Sequence, residues 1–279
     1  MNDSLSGLRT PLQVANFRSS QLAKKNLPSG IVVDVACGGG VPLISTVLAT
    51  NKIGLGIELD FERAKIATRN VKESGVNAKI HCSDALMGLP SDISQPVSIL
   101  LFDPERPRQG SRSHLQSLNP PVESVMKIWS KFLEQDSAVL IDVPPRFSDT
   151  DRNQLKKSIN SILPKHLSTW EFLSRGGSRV DRLMLHLGPT ACLEQHRCVR
   201  LNQDNSFVQI EGNPTNPPLC SSSWPKNGDL LVVLDAVIGA SKLWDSWAKS
   251  YKGVQWLRTT GRRPIAQITN GPLFSDSFC

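Results

Sequence analysis

No stretch of the chain approaches the roughly 20 consecutive apolar residues that a membrane-spanning helix requires. The most apolar runs, 97–102, 138–143 and 230–240, are all short, which excludes a transmembrane span. Residues 1–18 alternate polar and apolar side chains with no continuous apolar core of a secretory signal, so a cytoplasmic location is expected. The six cysteines (37, 82, 192, 198, 220 and 279) include no C-x-x-C pair, and the five histidines show neither H-E-x-x-H nor any paired spacing. Neither a disulfide framework nor a metal site is expected. Internal repeats are absent as well.

What is present is an ordinary globular composition. Of 279 residues, 39% are hydrophobic and 20% charged, which argues against a fibrous or disordered chain. The length suits one large domain with a smaller appendage. Thirty-two Lys and Arg against 25 Asp and Glu leave a net charge of +7. That excess favours encounter with polyanions without identifying one.

Apolar runs of strand length alternate with segments of helical spacing. Strands are expected at 31–35, 53–58, 78–82, 97–102, 138–143, 169–173 and 182–187, with helices at 41–50, 61–74, 122–132 and 151–162. Such alternation implies a mostly parallel sheet covered by helices on both faces. The last two strands are separated by Gly176-Gly177-Ser178 and are expected to form an antiparallel hairpin at the sheet edge. The alternation ends at Gly188-Pro189, where a domain boundary is expected, leaving 1–188 as the larger domain behind a helical lead-in. Residues 189–279 then read as a small α+β domain: short strands near 197–201 and 206–211, a Pro/Asn/Ser-rich connector, a strand and helix over 230–251, and two further short strands.

The first strand runs into Asp34-Val35-Ala36-Cys37-Gly38-Gly39-Gly40. In doubly wound sheets ligands bind beyond the carboxyl ends of the strands, where glycines let backbone N–H groups come close. Glu58 ends the second strand, Asp84 follows the third and Asp103 the fourth. Four consecutive strands therefore deliver a carboxylate to one edge. A dinucleotide site would want G-x-G-x-x-G, and Asp34 would repel its phosphates. Asp34 could also serve simply to order the glycine turn through backbone N–H groups.

Asp34-x-Ala36-Cys37-Gly38-x-Gly40 resembles the acidic-x-Gly-x-Gly-x-Gly signature of the class I S-adenosylmethionine-dependent methyltransferases, with Ala36 in place of the first glycine. Gly56-Ile57-Glu58, followed by Leu59, resembles that family's ribose motif; Ser83-Asp84-Ala85 resembles its adenine motif, and Phe102-Asp103-Pro104 the motif beside the methyl donor. The resemblance covers about residues 28–188. It implies a Rossmann-like seven-stranded sheet, S-adenosylmethionine as cofactor, and cofactor contacts from Asp34, Ala36, Cys37, Gly38, Gly40, Glu58, Leu59, Asp84, Ala85 and Asp103. Asp103 would also stand where donor and acceptor meet, as the candidate catalytic group.

The segment 103–112 combines two prolines with three arginines, Arg106, Arg108 and Arg112. Prolines stiffen a loop and guanidinium forks suit phosphate or carboxylate, so Pro104 and these arginines are expected to bind substrate; a solvated basic loop is the alternative. Family members that methylate exocyclic amines often carry Asn-Pro-Pro-aromatic here, and Asp103-Pro104-Glu105-Arg106 departs from it. Carbon-5 pyrimidine chemistry needs a cysteine nucleophile near the fourth or fifth strand end, and none is there. Asp103-Pro104-x-Arg106, Gly110-x-Arg112, Trp170-Glu171-Phe172 and Leu234-Asp235-Ala236-Val237-Ile238 resemble a microbial methyltransferase subgroup with a THUMP-like C-terminal domain. That resemblance and the positive charge point to RNA, tRNA or rRNA, as substrate, with methyl transfer to a nitrogen or oxygen. A protein or small-molecule methyltransferase, or a non-catalytic RNA-binding module on the same fold, would keep many of these features. Asp142 and Arg146, the arginines 175, 179 and 182 bracketing the expected edge hairpin, the arginines 258, 262 and 263 with Trp256 close by, and His114 as a base are further candidates. Trp244 and Trp247 read as core.

Overall fold

The structure is a computed structural model that describes residues 10–106, 114–176, 179–223, 225–269 and 278. In chain order it contains α1 (Leu12–Ala23), β1 (Ile31–Val35), α2 (Val41–Thr50), β2 (Gly54–Glu58), α3 (Phe61–Ser74), β3 (Ala78–Cys82), β4 (Val97–Phe102), α4 (Val122–Trp129), β5 (Leu133–Val143), α5 (Asp149–Ile162), β6 (Ser168–Ser174) and β7 (Arg182–Leu187). After these come β8 (His196–Leu201), β9 (Phe207–Gly212), β10 (Leu230–Val233), α6 (Ala236–Ser241), α7 (Trp244–Ala248), β11 (Gln255–Arg258) and β12 (Ile265–Ile268).

Local chemistry sets the helix limits. Asp60 caps α3 by accepting from the Arg63 N–H, and Gly75, at φ 69°, ends it. Ser148 caps α5 in the same way through the Asp151 N–H, starting it two residues earlier than its apolar spacing suggests.

One sheet has the order β3-β2-β1-β4-β5-β7-β6-β8-β9, and a second has the order β10-β12-β11. β1 lies between β2 and β4, parallel to both. Every residue of β1, β2 and β4 is buried, as expected for parallel strands covered on both faces. The doubly wound α/β architecture expected from the alternation is present, but among the described residues this sheet has nine strands rather than seven. The β6–β7 pair is not at the edge, because β8 pairs in parallel with β6 and β9 returns antiparallel to β8. Short apolar strands after residue 189 carry no signal of which sheet they join.

Two compact units can be distinguished. One comprises the described residues of Met1–Ser168 with Leu185–Ala191, and the other those of Thr169–Met184 with Cys192–Cys279. The first is centred on Val32, Val33, Ile99, Leu100, Val139 and Ile141; the second on Trp170, Phe172, Val199, Val237, Trp244 and Trp247. Among the described residues no helix is long and apolar enough to cross a membrane.

Candidate functional site

The site is built from the carboxyl ends of β1, β2, β3 and β4. In β1 Asp34 stands opposite Gly56 of β2 and Leu101 of β4. Space at 56 is tight: a Cβ there would lie 2.6 Å from Ile80 Cδ1 and 2.9 Å from Cys37 Sγ, so those side chains would have to shift to admit a larger residue. Beyond β1 the chain turns through Ala36, Gly38 and Gly40 at φ 67°, 55° and 78°. The turn is closed by the Cys37 N–H donating to Ile57 O at 2.9 Å and the Gly40 N–H donating to Cys37 O at 2.9 Å. Gly40 then becomes the N-cap of α2, with Pro42 in its first turn. Ala36 adopts the left-handed backbone usually left to glycine, at a cost of about 1–2 kcal/mol. The substitution noted in the sequence therefore keeps the turn's shape. Asn70 of α3 ties the turn down by donating from Nδ2 to Gly39 O at 2.8 Å.

Glu58 is buried, and both of its carboxylate oxygens meet backbone donors. Oε2 accepts from the Gly38 N–H at 2.7 Å and Oε1 from the Asp60 N–H at 3.0 Å. The ordering of the glycine turn, attributed above to Asp34 as an alternative, is performed by Glu58. A carboxylate offers about four lone-pair positions, so two remain for a ligand.

Asp34 is in a different state. It is 3% exposed, accepts from the backbone N–H of Leu43 in the first turn of α2, and leaves Oδ2 without a donor among the described residues. Burial pushes its carboxyl well above the usual carboxylate range, and Asp103, Glu58 and Asp142 push it further in the same direction. A buried carboxylate under three negative neighbours is complementary to a cation. The same surroundings act on Cys37: burial first, then Asp34 and Glu58, hold its thiol well above its ordinary value. Cys37 is therefore a neutral packing group and no nucleophile.

Asp84 accepts from the Leu86 N–H at 2.9 Å, capping the single helical turn that follows β3. Ala85 is buried beneath it, where its carbonyl accepts from Trp129 Nε1 at 2.8 Å. Leu59 is 67% exposed. Asp103 is partly exposed, with Arg106 Nη2 3.8 Å from its Oδ1. The same Arg106 nitrogen is 3.4 Å from Val143 O, so this arginine folds back across the ends of β4 and β5. Pro104 is buried. Glu105 exchanges backbone hydrogen bonds with Asn119 and meets Arg63 of α3 at 3.2 Å, which anchors the start of the basic segment to α3. Arg108 and Arg112 lie outside the described residues.

Asp142 is occupied. Arg18 of α1 binds it through two nitrogens at 2.8 and 3.1 Å, and both side chains are buried. Arg146 is exposed. His114 leans on Asp151, 3.7 Å away, at the start of α5. The importance of α1 escaped the sequence reading. It packs against α2 through Ser19–Thr46 and Asn16–Ser45 hydrogen bonds of 3.1 Å each. The legible signal was Arg18 itself, standing on the Val14–Phe17–Leu22 apolar stripe where a hydrophobe belongs.

Neither a protein-family model nor a curated protein matches the sequence. Solved structures do match in fold. A Listeria monocytogenes protein assigned to the class I S-adenosylmethionine-dependent methyltransferases is 13% identical, covering 69% of this chain and 64% of its own, with a TM-score of 0.50. An rRNA methylase of Streptococcus thermophilus is 10% identical over 65% of this chain and 98% of its own, at a TM-score of 0.45. A precorrin-6y methyltransferase of Geobacter metallireducens is 9% identical over 67% and 90%, at 0.46. The likeness to the Listeria protein agrees with the Rossmann-like fold of the larger sheet.

Proposed function

We propose that this chain is an S-adenosylmethionine-dependent methyltransferase acting on RNA, with tRNA or rRNA as the substrate. One observation carries the cofactor reading: the buried Asp34 carboxyl, with an oxygen lacking a donor among the described residues and three carboxylates acting on it. S-adenosylmethionine carries a sulfonium and an ammonium, the charges that such a group accepts, whereas a pyrophosphate would be repelled. The space also fits. A Cβ added at Gly38 would meet nothing within 4 Å, so the turn faces open room into which a ligand can come against the backbone.

When bound, the cofactor supplies an electrophilic methyl group. In this reading Asp34 holds the ammonium, and the free lone pairs of Glu58 accept from ribose hydroxyls while its other two keep the turn rigid. Asp84 and Ala85 border the base, with exposed Leu59 beside them. Asp103 orients the acceptor, and Arg106 beside it balances the charge at the cleft. Removing the acceptor from water and aligning it supplies most of the rate. The net charge of +7 and the basic segment after β4 support RNA. Residues 189–279 are read as a THUMP-like domain assisting that contact.

Calorimetric titration with S-adenosylhomocysteine tests the cofactor site, and methyl transfer from labelled S-adenosylmethionine to total tRNA and rRNA tests the substrate. Micromolar binding lost in Asp34→Asn is the expected result; no binding by the unaltered protein overturns the reading.

A further inference from the structure

The second unit gathers arginines around one buried carboxylate. Asp235 is 1% exposed and caps α6 through the Val237 N–H at 3.1 Å. Its other oxygen accepts from Ser174 Oγ, at the end of β6, at 2.6 Å. Burial raises its carboxyl above the usual carboxylate range, and the charges of Arg200 and Arg263 oppose that rise. Three segments far apart in sequence therefore meet here. In the β6–β8 register Ser174 lies opposite Arg200. The segment leaving β6 carries Arg175 and Arg179, which bracket Asp181 at 3.4 Å each. It stays near Arg200, since a Cβ at Gly176 would lie 3.8 Å from Arg200 Nη2. The third segment is the connection between β11 and β12. There Arg263 donates to Leu234 O at 3.1 Å and Val233 O at 2.9 Å, and Arg258 donates to Arg263 O at 3.1 Å.

Four arginines thus act on two carboxylates, Arg175 and Arg179 on Asp181 and Arg200 and Arg263 on the buried Asp235, and a fifth, Arg258, is tied to Arg263. We propose that this arginine cluster is a phosphate-backbone docking surface for RNA, separate from the glycine-turn site. The inference rests on the RNA reading above and extends it to a second location. Arginine rather than lysine at all five positions favours phosphate recognition, because a planar fork can bind two phosphate oxygens at once and also stack on a base. Arg175, Arg179 and Arg258 are exposed, while Asp235 and Ser174 fix the scaffold that brings their segments together.

The test is fluorescence anisotropy of the full chain with a labelled hairpin RNA across a KCl series, comparing the unaltered protein with Arg175→Gln/Arg179→Gln/Arg258→Gln. Losing three phosphate contacts is expected to lower the slope of log K against log salt by about three and weaken binding at least tenfold at about 0.1 M salt. Calorimetry with S-adenosylhomocysteine is run on the same samples and should be unchanged, which separates loss of docking from misfolding or a failed cofactor site. RNA binding by the unaltered protein with an unchanged slope in the triple variant overturns the docking surface while leaving the RNA reading standing. No RNA binding by the unaltered protein overturns both. Competition by poly-glutamate as strong as by unlabelled RNA also overturns the proposal, in favour of an acidic protein partner.

Discussion

Replacing Asp34 by asparagine keeps the side chain's shape and its place opposite Gly56 but removes a carboxyl whose ionised form the ligand-free fold disfavours. Because burial and three carboxylates raise this carboxyl in the folded state, the folded protein binds a proton that the unfolded chain releases at about pH 4. Stability from this group is therefore intact below about pH 4. It falls as pH rises towards the folded-state value, at up to about 1.4 kcal/mol per pH unit. For a chain of this size that amounts to at most about 3–5 °C of Tm per pH unit. The variant should lack this slope and melt higher than the unaltered protein at neutral pH. Its affinity for S-adenosylhomocysteine should move the opposite way, because a hydrogen bond to a charged group contributes about 1.5–3 kcal/mol, roughly a 10- to 150-fold loss. Scanning fluorimetry from pH 4 to 8, with and without ligand, reads both effects. A variant that binds within threefold of the unaltered protein and keeps the same pH slope would refute the electrostatic argument.

Further expectations concern the supporting structure. Arg18→Met leaves Asp142 buried without its partner and should cost about 3–5 kcal/mol in urea denaturation; the double variant Arg18→Met/Asp142→Leu should recover most of that. Gly38→Ala should cost only about 1–2 kcal/mol for its φ of 55°, yet weaken S-adenosylhomocysteine binding more than tenfold, since the added methyl enters the open room before the turn. Cys37 should resist iodoacetamide at pH 8 while exposed Cys82 is labelled, as peptide mass mapping would show.

The α/β alternation and the carboxylate at the end of each of the first four strands could be read from the sequence because both rest on local signals: runs of β-branched residues, turn glycines and helical spacing. The roles of those carboxylates could not. Glu58 and Asp34 look alike as acidic residues closing buried strands, and only the fold reveals that one meets a backbone donor on each oxygen while the other has an oxygen without a donor among the described residues. Asp142 likewise gave no hint of Arg18, 124 residues away. The start of β5 at Leu133 was missed because Glu134, Gln135 and Asp136 interrupt its apolar pattern. The addition of β8 to β6 was hidden because pairing partners are chosen by tertiary geometry, which a run such as His196–Leu201 does not encode.

That pairing bears on how this chain can be divided. β6 reads Ser-Thr-Trp-Glu-Phe-Leu-Ser and is buried along nearly its whole length, with β8 hydrogen-bonded to it in register from Trp170 to Ser174. A gene truncated after Gly188 would yield a polypeptide whose Trp170 and Phe172 lie on a raw strand margin with open amide groups, the geometry that seeds intermolecular stacking. Expression trials of a protein shortened in this way should therefore give insoluble material, whereas in the full chain the sheet ends on β9, a strand carrying Gln209 and Glu211, side chains that discourage such growth.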